Sequence, residues 1–191
     1  MNKPRRKPMY LFDYKRFKEP HKSRKEQHMQ WKLFTSEVKL RLIDQNKKVI
    51  ITCGYEIPLG EIISEKKKID LLAYDEDGNI YLIETKFTNG SGTTDKAAKQ
   101  VSEYAEILEH NFDWFFKQFQ DGIGDSRQIN KSFNKIVLAP KSYYNHKRKP
   151  QLENRNDVLF LTFAKTEVYY SIESVLGDDG LVDLVEYIWK N

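Results

Sequence analysis

Residues 69–86 constrain the fold more than any other segment, because they have the pattern of two strands joined by a short turn. Aromatic and branched apolar residues, which favour strands, dominate both flanks. The centre holds the turn-forming residues Asp75, Glu76, Asp77, Gly78 and Asn79. Gly78 stands where a type I turn followed by a bulge needs a positive φ, so we predict a hairpin with a three-residue loop.

The loop length determines which residues face each other across the hairpin. A three-residue loop places Asp70 opposite Glu84, and side-chain alternation puts Lys86 on the same face. A two-residue loop would instead remove Asp70 from this position. Like charges opposed at about 5 Å destabilise a sheet, and Lys86 offsets only part of the repulsion. Because both faces of the hairpin are apolar, we predict a buried site for Mg²⁺ or Mn²⁺, completed by water and substrate phosphate.

The order of the elements resembles a known nuclease superfamily. Asp70, a hairpin, Glu84-Thr85-Lys86, a glycine-rich loop and a helix follow one another, as in the PD-(D/E)XK superfamily with its restriction-endonuclease-like fold. Ile69 stands where the family name has proline. Downstream, residues 100–104 have the sequence QVSEY, which resembles the Q-x-x-x-Y element of the exonuclease branch.

The resemblance implies an α/β fold, with a central mixed β-sheet of four to five strands flanked by helices as a restriction-endonuclease-like core. It also implies a metal site in which Asp70, Glu84 and the main-chain carbonyl of Thr85 bind Mg²⁺. In the same scheme Lys86 orients the attacking water and stabilises charge in the transition state. Gln100 arranges the substrate or the catalytic lysine.

A further acid is expected from the first core helix, which we predict over residues 23–46. Glu37 lies between Leu33 and Phe34 on the helical wheel, and the resemblance gives it a second ion or a metal-bound water. An ordinary ion pair with Arg41 at i+4 is the alternative for this residue. Glu56, on the following strand, is a rival for the same role.

The rest of the chain divides into short strands and helices. We predict a strand over residues 49–57, bulged at Gly54, and a helix capped by Thr93 or Thr94. An aromatic helix over 111–120, strands over 133–139 and 157–163, and a closing helix over 181–189 follow. The lysine triplet at 66–68 is either solvated or binds a phosphate beside the metal.

Charge and cysteine content favour an intracellular protein that binds nucleic acid. The 191 residues carry 32 Lys and Arg against 28 Asp and Glu. The positive excess lies in residues 1–26, a basic N-terminal arm with interleaved aromatics that either contacts phosphates and bases or docks on the nuclease-like domain at 27–191. The single cysteine, Cys53, excludes an intramolecular disulfide. With no apolar run typical of a signal peptide or membrane span, we expect a cytoplasmic location without membrane contact.

The sequence therefore predicts a metal-dependent nuclease that hydrolyses phosphodiester bonds, with DNA favoured and RNA left open. It lacks a helicase or specificity domain, so a homodimer or a partner subunit is expected. One alternative is a catalytically inactive module that binds nucleic acid or acts as a scaffold with the same fold. Another is a small partner protein in which the carboxylate pair is structural.

Overall fold

Seven strands and five helices make up the part of the chain that the computed structural model describes, residues 18–36, 38–59, 67–87, 92–123, 128–147 and 157–189. The strands are β1 (Lys39–Leu42), β2 (Lys48–Pro58), β3 (Lys68–Tyr74), β4 (Ile80–Thr85), β5 (Phe133–Leu138), β6 (Val158–Phe163) and β7 (Leu181–Glu186). The helices are α1 (Lys25–Thr35), α2 (Thr94–His110), α3 (Phe112–Ile123), α4 (Lys141–Tyr144) and α5 (Ile172–Val175).

The strands form one mixed sheet that closes on itself. From β1 to β4 each strand is antiparallel to the next, β5 and β6 continue in parallel, and β7 is antiparallel to β6. A parallel pairing of β1 with β7 then completes a closed seven-stranded barrel. The expected open sheet of four to five strands flanked by helices, with a restriction-endonuclease-like core, is therefore wrong.

One of the two closing strands lies where a helix was predicted. The helix predicted over 23–46 ends at Thr35, and β1 follows within the same stretch. Leu40 and Leu42 point into the core while Lys39 is exposed, which is the two-residue period of a strand. Asn46 and Lys47 have positive φ values of 54° and 55° and turn the chain back into β2. Glu37 lies outside the described residues.

The second closing strand replaces the helix predicted over 181–189. In β7 the buried residues Val182 and Leu184 alternate with less buried neighbours. Asp183 lies opposite Arg41 of β1 in the register, and the guanidinium donates to its carboxylate at 2.6 and 2.9 Å. Burial of every second residue is the pattern of a strand with one buried face.

Other predicted elements are confirmed. Strand β2 contains a register shift between Thr52 and Gly54, where the bulge was expected. Strands β5 and β6 and helix α3 lie within one to three residues of their predicted bounds. The side chain of Thr93 caps α2 by accepting a hydrogen bond from the main-chain nitrogen of Lys96 at 3.2 Å.

The sheet buries apolar residues on both faces. One core cluster draws residues from all seven strands and from α1, so it fills the inside of the barrel. The other packs α2 and α3 against strands β2 to β6 on the outside. Within the described ranges, every helix is too short or too polar to cross a lipid bilayer. The hairpin of β3 and β4 therefore lies between two helical layers, α1 on one side and α2 on the other.

Candidate active site

The hairpin has the predicted register. Leu72 pairs with Leu82 and Tyr74 with Ile80. The main-chain nitrogen of Asp75 donates to the carbonyl of Asn79 at 3.1 Å, closing the three-residue loop. The prediction for this loop is confirmed.

Two features hold the turn in this shape. Gly78 has a φ of 79°, a region that residues with a Cβ seldom occupy. The buried carboxylate of Asp75 accepts hydrogen bonds from the main chain and side chain of Asn79 and from the hydroxyl of Tyr81. Burial raises the pKa of Asp75, but these hydrogen bonds outweigh it, so the net pKa is lowered and the carboxylate stays charged.

At the other end of the hairpin, Asp70 and Glu84 each lie one residue beyond the last cross-strand pair, Leu71 with Ile83. Asp70 accepts hydrogen bonds from the main-chain nitrogen of Thr85 at 2.8 Å and from its hydroxyl at 3.0 Å. Both bonds end on Oδ2. The threonine side chain thus orients the aspartate against the start of the E-T-K segment.

Glu84 is only 2% exposed and has two donors. The Nζ of Lys86 lies 2.5 Å from Oε1, and the Nε2 of Gln100 donates to Oε2 at 2.9 Å. Gln100 comes from α2, on the outer side of the sheet, and its Nε2 also lies 2.9 Å from the hydroxyl of Tyr104 one turn later. The structure therefore brings together five predicted site residues, namely Asp70, Glu84, Thr85, Lys86 and Gln100.

Burial and mutual repulsion perturb both carboxylates. Burial raises the pKa of Asp70 to about 6, although the hydrogen bonds from Thr85 and the charge of Lys86 lower it. Burial, assisted by the negative charge of Asp70, raises the pKa of Glu84 to about 8 despite the adjacent ammonium. Burial lowers the pKa of Lys86, but the carboxylates outweigh it and the net pKa is raised. The lysine alone leaves the two acids incompletely neutralised.

Helix α1 contributes two residues that the sequence analysis did not identify. Gln30, which is 2% exposed, donates from Nε2 to the hydroxyl of Thr85 at 2.6 Å. Glu26, one turn earlier, accepts a hydrogen bond from the main-chain nitrogen of Phe87 at 2.9 Å. Its negative charge also raises the pKa values of Asp70 and Glu84. The i, i+4 spacing places Glu26 and Gln30 on one face of α1 but does not indicate what that face contacts.

The rival acid, Glu56, has a structural partner instead. Its side chain forms an ion pair with Lys68 at 3.1 Å. Its φ of 45° marks a distortion of β2 near the bulge. In the described part of the chain, the further acid whose charge acts on both Asp70 and Glu84 is therefore Glu26.

The oxygen donors of the site suit a hard divalent cation that needs few protein ligands. The described residues hold no group of three or more His, Cys, Asp or Glu side chains placed to bind one. Mg²⁺ needs fewer protein ligands, because it retains water and takes one or two carboxylates together with substrate phosphate. Asp70 and Glu84 are two such carboxylates, and because burial raises the pKa of both, a bound cation would stabilise their charged forms. The pair fits Mg²⁺ or Mn²⁺.

No family model, curated protein or solved structure matches this chain.

Proposed function

We propose that the protein is a metal-dependent nuclease that hydrolyses phosphodiester bonds, with DNA as the favoured substrate. The observation that carries the proposal is the cluster at the open end of the hairpin. Two carboxylates with raised pKa values, Asp70 and Glu84, share one site with the ammonium of Lys86. Perturbed acids beside a specific charge partner are typical of catalytic sites. The resemblance of this segment to the PD-(D/E)XK superfamily supports the same reaction.

The metal would be bound by Asp70, Glu84 and the main-chain carbonyl of Thr85. When bound, a divalent cation offsets charge on the scissile phosphate and lowers the pKa of a bound water. Thr85 holds Asp70 in place through two hydrogen bonds and is itself held by Gln30 of α1. Gln100 fixes the second oxygen of Glu84. Both acids are thus oriented before a substrate arrives, which reduces the cost of reorganisation.

Lys86 supplies a positive charge beside the two carboxylates. Its raised pKa keeps it an ammonium at neutral pH, so it donates hydrogen bonds and does not act as a base. Next to Glu84 it can orient the attacking water and stabilise the charge that develops on the phosphate oxygens. Burial, with the charge of Glu84, raises the pKa of Tyr104 to about 12, so its hydroxyl stays neutral beside Gln100.

The proposal includes nucleic acid as partner and the cytoplasm as location. The buried thiol of Cys53 has no second cysteine with which to form an intramolecular disulfide. A chain of this kind suits a reducing compartment.

The decisive experiment is a cleavage assay with a matched variant. The full chain is incubated with supercoiled, linear and single-stranded DNA and with RNA, in Mg²⁺, in Mn²⁺ and in EDTA. We expect metal-dependent cleavage by the native chain, loss of cleavage in Glu84→Gln and retention in Glu106→Gln. Glu106 is an exposed glutamate of α2, and its replacement removes the same charge.

Two outcomes would contradict the nuclease assignment. The first is undiminished cleavage by purified Glu84→Gln. The second is a native chain that cleaves none of the four substrates with either metal. Binding of DNA without cleavage would favour the inactive nucleic-acid-binding module.

A further inference from the structure

A cavity of about 570 Å³ rich in lysine opens beside the carboxylate pair. Two elements line it, the start of β3 and the first turns of α2. The cationic lining residues are Lys67, Lys68, Lys96 and Lys99. Glu103 is the acid in the lining and Glu56 forms an ion pair with Lys68, so four lysines against two acids leave a surplus of positive charge. Clefts lined by one sign of charge concentrate ligands of the opposite sign.

The cavity is physically joined to the candidate active site. Gln100 and Tyr104 line it as well, and Gln100 donates directly to Glu84 at 2.9 Å. Lys68 lies two residues before Asp70 on β3, which places both side chains on one face of the strand. A ligand in this cavity therefore lies next to the two carboxylates.

The two lysines of α2 that line the cavity, Lys96 and Lys99, keep their ammonium groups in an exposed position. Lys96, Lys99 and Glu103 fall on one face at helical spacing. Lys96 and Lys99 are exposed, and the ion pair from Lys99 to Glu103 is long, at 3.8 Å. Lys67 is closer to the same carboxylate, at 3.3 Å. One glutamate thus orients two ammonium groups without neutralising the cluster.

We infer that this lysine cavity binds a phosphate group of the nucleic-acid strand next to the scissile phosphate. The inference rests on the proposed function, because the scissile phosphate is the one that Asp70 and Glu84 would receive. The substrate is then a polynucleotide with at least one phosphate beyond the bond that is cut. Small phosphodiesters lack this contact. A phosphate inside the strand and a terminal 5′-phosphate present the same chemistry to the lysines.

Direct DNA binding by a chain that does not cut tests the inference. In the Glu84→Gln background of the full chain, Lys96→Gln/Lys99→Gln is compared with Lys39→Gln/Lys47→Gln. Lys39 and Lys47 are exposed and line a different cavity near the turn of the hairpin. The probe is a duplex of about 20 base pairs with fluorescein at a 3′ end, and anisotropy gives Kd between about 50 and 200 mM salt.

Removing two lysine–phosphate contacts should make the plot of log affinity against log salt less steep by about 2. We also expect binding by the variant Lys96→Gln/Lys99→Gln to be at least about tenfold weaker in Kd. The control pair should change Kd by less than about twofold. The inference is overturned if the α2 pair binds like its parent, if both pairs weaken binding equally, or if the parent does not bind the duplex. Since these arms measure binding alone, a native chain that fails to cleave would overturn only the nuclease proposal.

A pair of probes with a 5′-hydroxyl or a 5′-phosphate identifies the source of the phosphate. Equal lysine dependence with both probes assigns the cavity to a backbone phosphate. Lysine dependence only with the phosphorylated probe assigns it to a strand terminus, and a preference for DNA ends follows.

Discussion

At the scale of single residues, the balance of charge at the site explains why a further cation is expected. Lys86 contacts Glu84 at 2.5 Å, yet burial and Asp70 still hold the pKa of that glutamate at about 8. Two acids and one ammonium leave a negative excess in a place that water reaches poorly. A buried charge without a partner is costly. The protein can satisfy this excess by holding a proton or by binding a metal ion.

Replacing the lysine separates its catalytic role from its structural one. We expect Lys86→Met to reduce metal-dependent cleavage by about 100-fold or more, because charge in the transition state loses its donor. The fold should survive, since Glu84 can take up a proton when its ammonium partner is removed. Initial cleavage rates and circular dichroism check the two halves of this expectation.

Lys117→Met, at an exposed position of α3, serves as the control and should cleave like the native chain. Cleavage by Lys86→Met at the native rate would remove the lysine from the mechanism.

The raised carboxylate pKa values also predict how stability depends on pH. In the folded chain the pKa of Asp70 is about 6 and that of Glu84 is about 8. In the unfolded chain both acids ionise near pH 4. The folded state therefore holds more protons between these limits, and its stability falls as pH rises through them. We expect Tm of the metal-free protein to decrease from pH 5 to pH 8, and Mg²⁺ to raise Tm more at pH 8 than at pH 5.

Thermal unfolding of the native chain and of Glu84→Gln, with and without Mg²⁺, measures both effects. The glutamine variant should show a shallower decline with pH and a smaller gain from Mg²⁺. A native Tm that increases steadily from pH 5 to pH 8 without metal would be incompatible with the raised pKa values.

At the scale of elements, the turn of the hairpin sets the geometry at its far end. The register that begins at Asp75 and Asn79 runs to the pair of Leu71 with Ile83, and Asp70 and Glu84 are the next residues of the two strands. Gly78 is central to this turn, because a Cβ at this position would lie 2.4 Å from the carbonyl oxygen of Gln128. Its backbone conformation and its close neighbour both exclude a side chain.

Gly78→Ala should therefore destabilise the protein by about 2–4 kcal/mol, from the left-handed conformation together with the steric clash. Gly180→Ala is the matched control, since it has a similar φ of 77° but no atom within 4 Å of the added Cβ. We expect the control to cost only about 1 kcal/mol. Urea unfolding measures both, and equal losses would show that the contact with Gln128 contributes nothing.

The part of the site that could be predicted is the part that depends on local spacing. The loop length predicts that Asp70 lies near Glu84, and strand alternation places Lys86 on the same face as Glu84. The i, i+4 spacing places Gln100 and Tyr104 on one face of a helix. Glu26 and Gln30 could not be found in this way, because their contacts with residues 85–87 depend on how α1 docks. The helix was also predicted too long, so the prediction included Glu37, whereas α1 ends at Thr35.

At the scale of the whole molecule, local sequence patterns could not predict that the sheet closes into a barrel. The strands β1 and β7 are only four and six residues long, and short apolar segments fit a strand or a helix almost equally well. Their pairing joins residues as distant as Arg41 and Asp183. Nothing in either segment alone specifies a partner so far away. The local elements were thus more predictable than the topology that unites them.

The closed barrel predicts a strongly alternating response to truncation along β7. Leu184 is 0% exposed and belongs to the cluster inside the barrel, whereas its neighbour Val185 is partly exposed. Leu184→Ala should lower the free energy of unfolding by about 2–5 kcal/mol through lost burial and a residual cavity. Val185→Ala should cost about 1 kcal/mol or less. Urea unfolding of both variants distinguishes this strand from the helix that the sequence suggested. Comparable losses at the two positions would contradict the inward and outward alternation on which closure of the barrel depends.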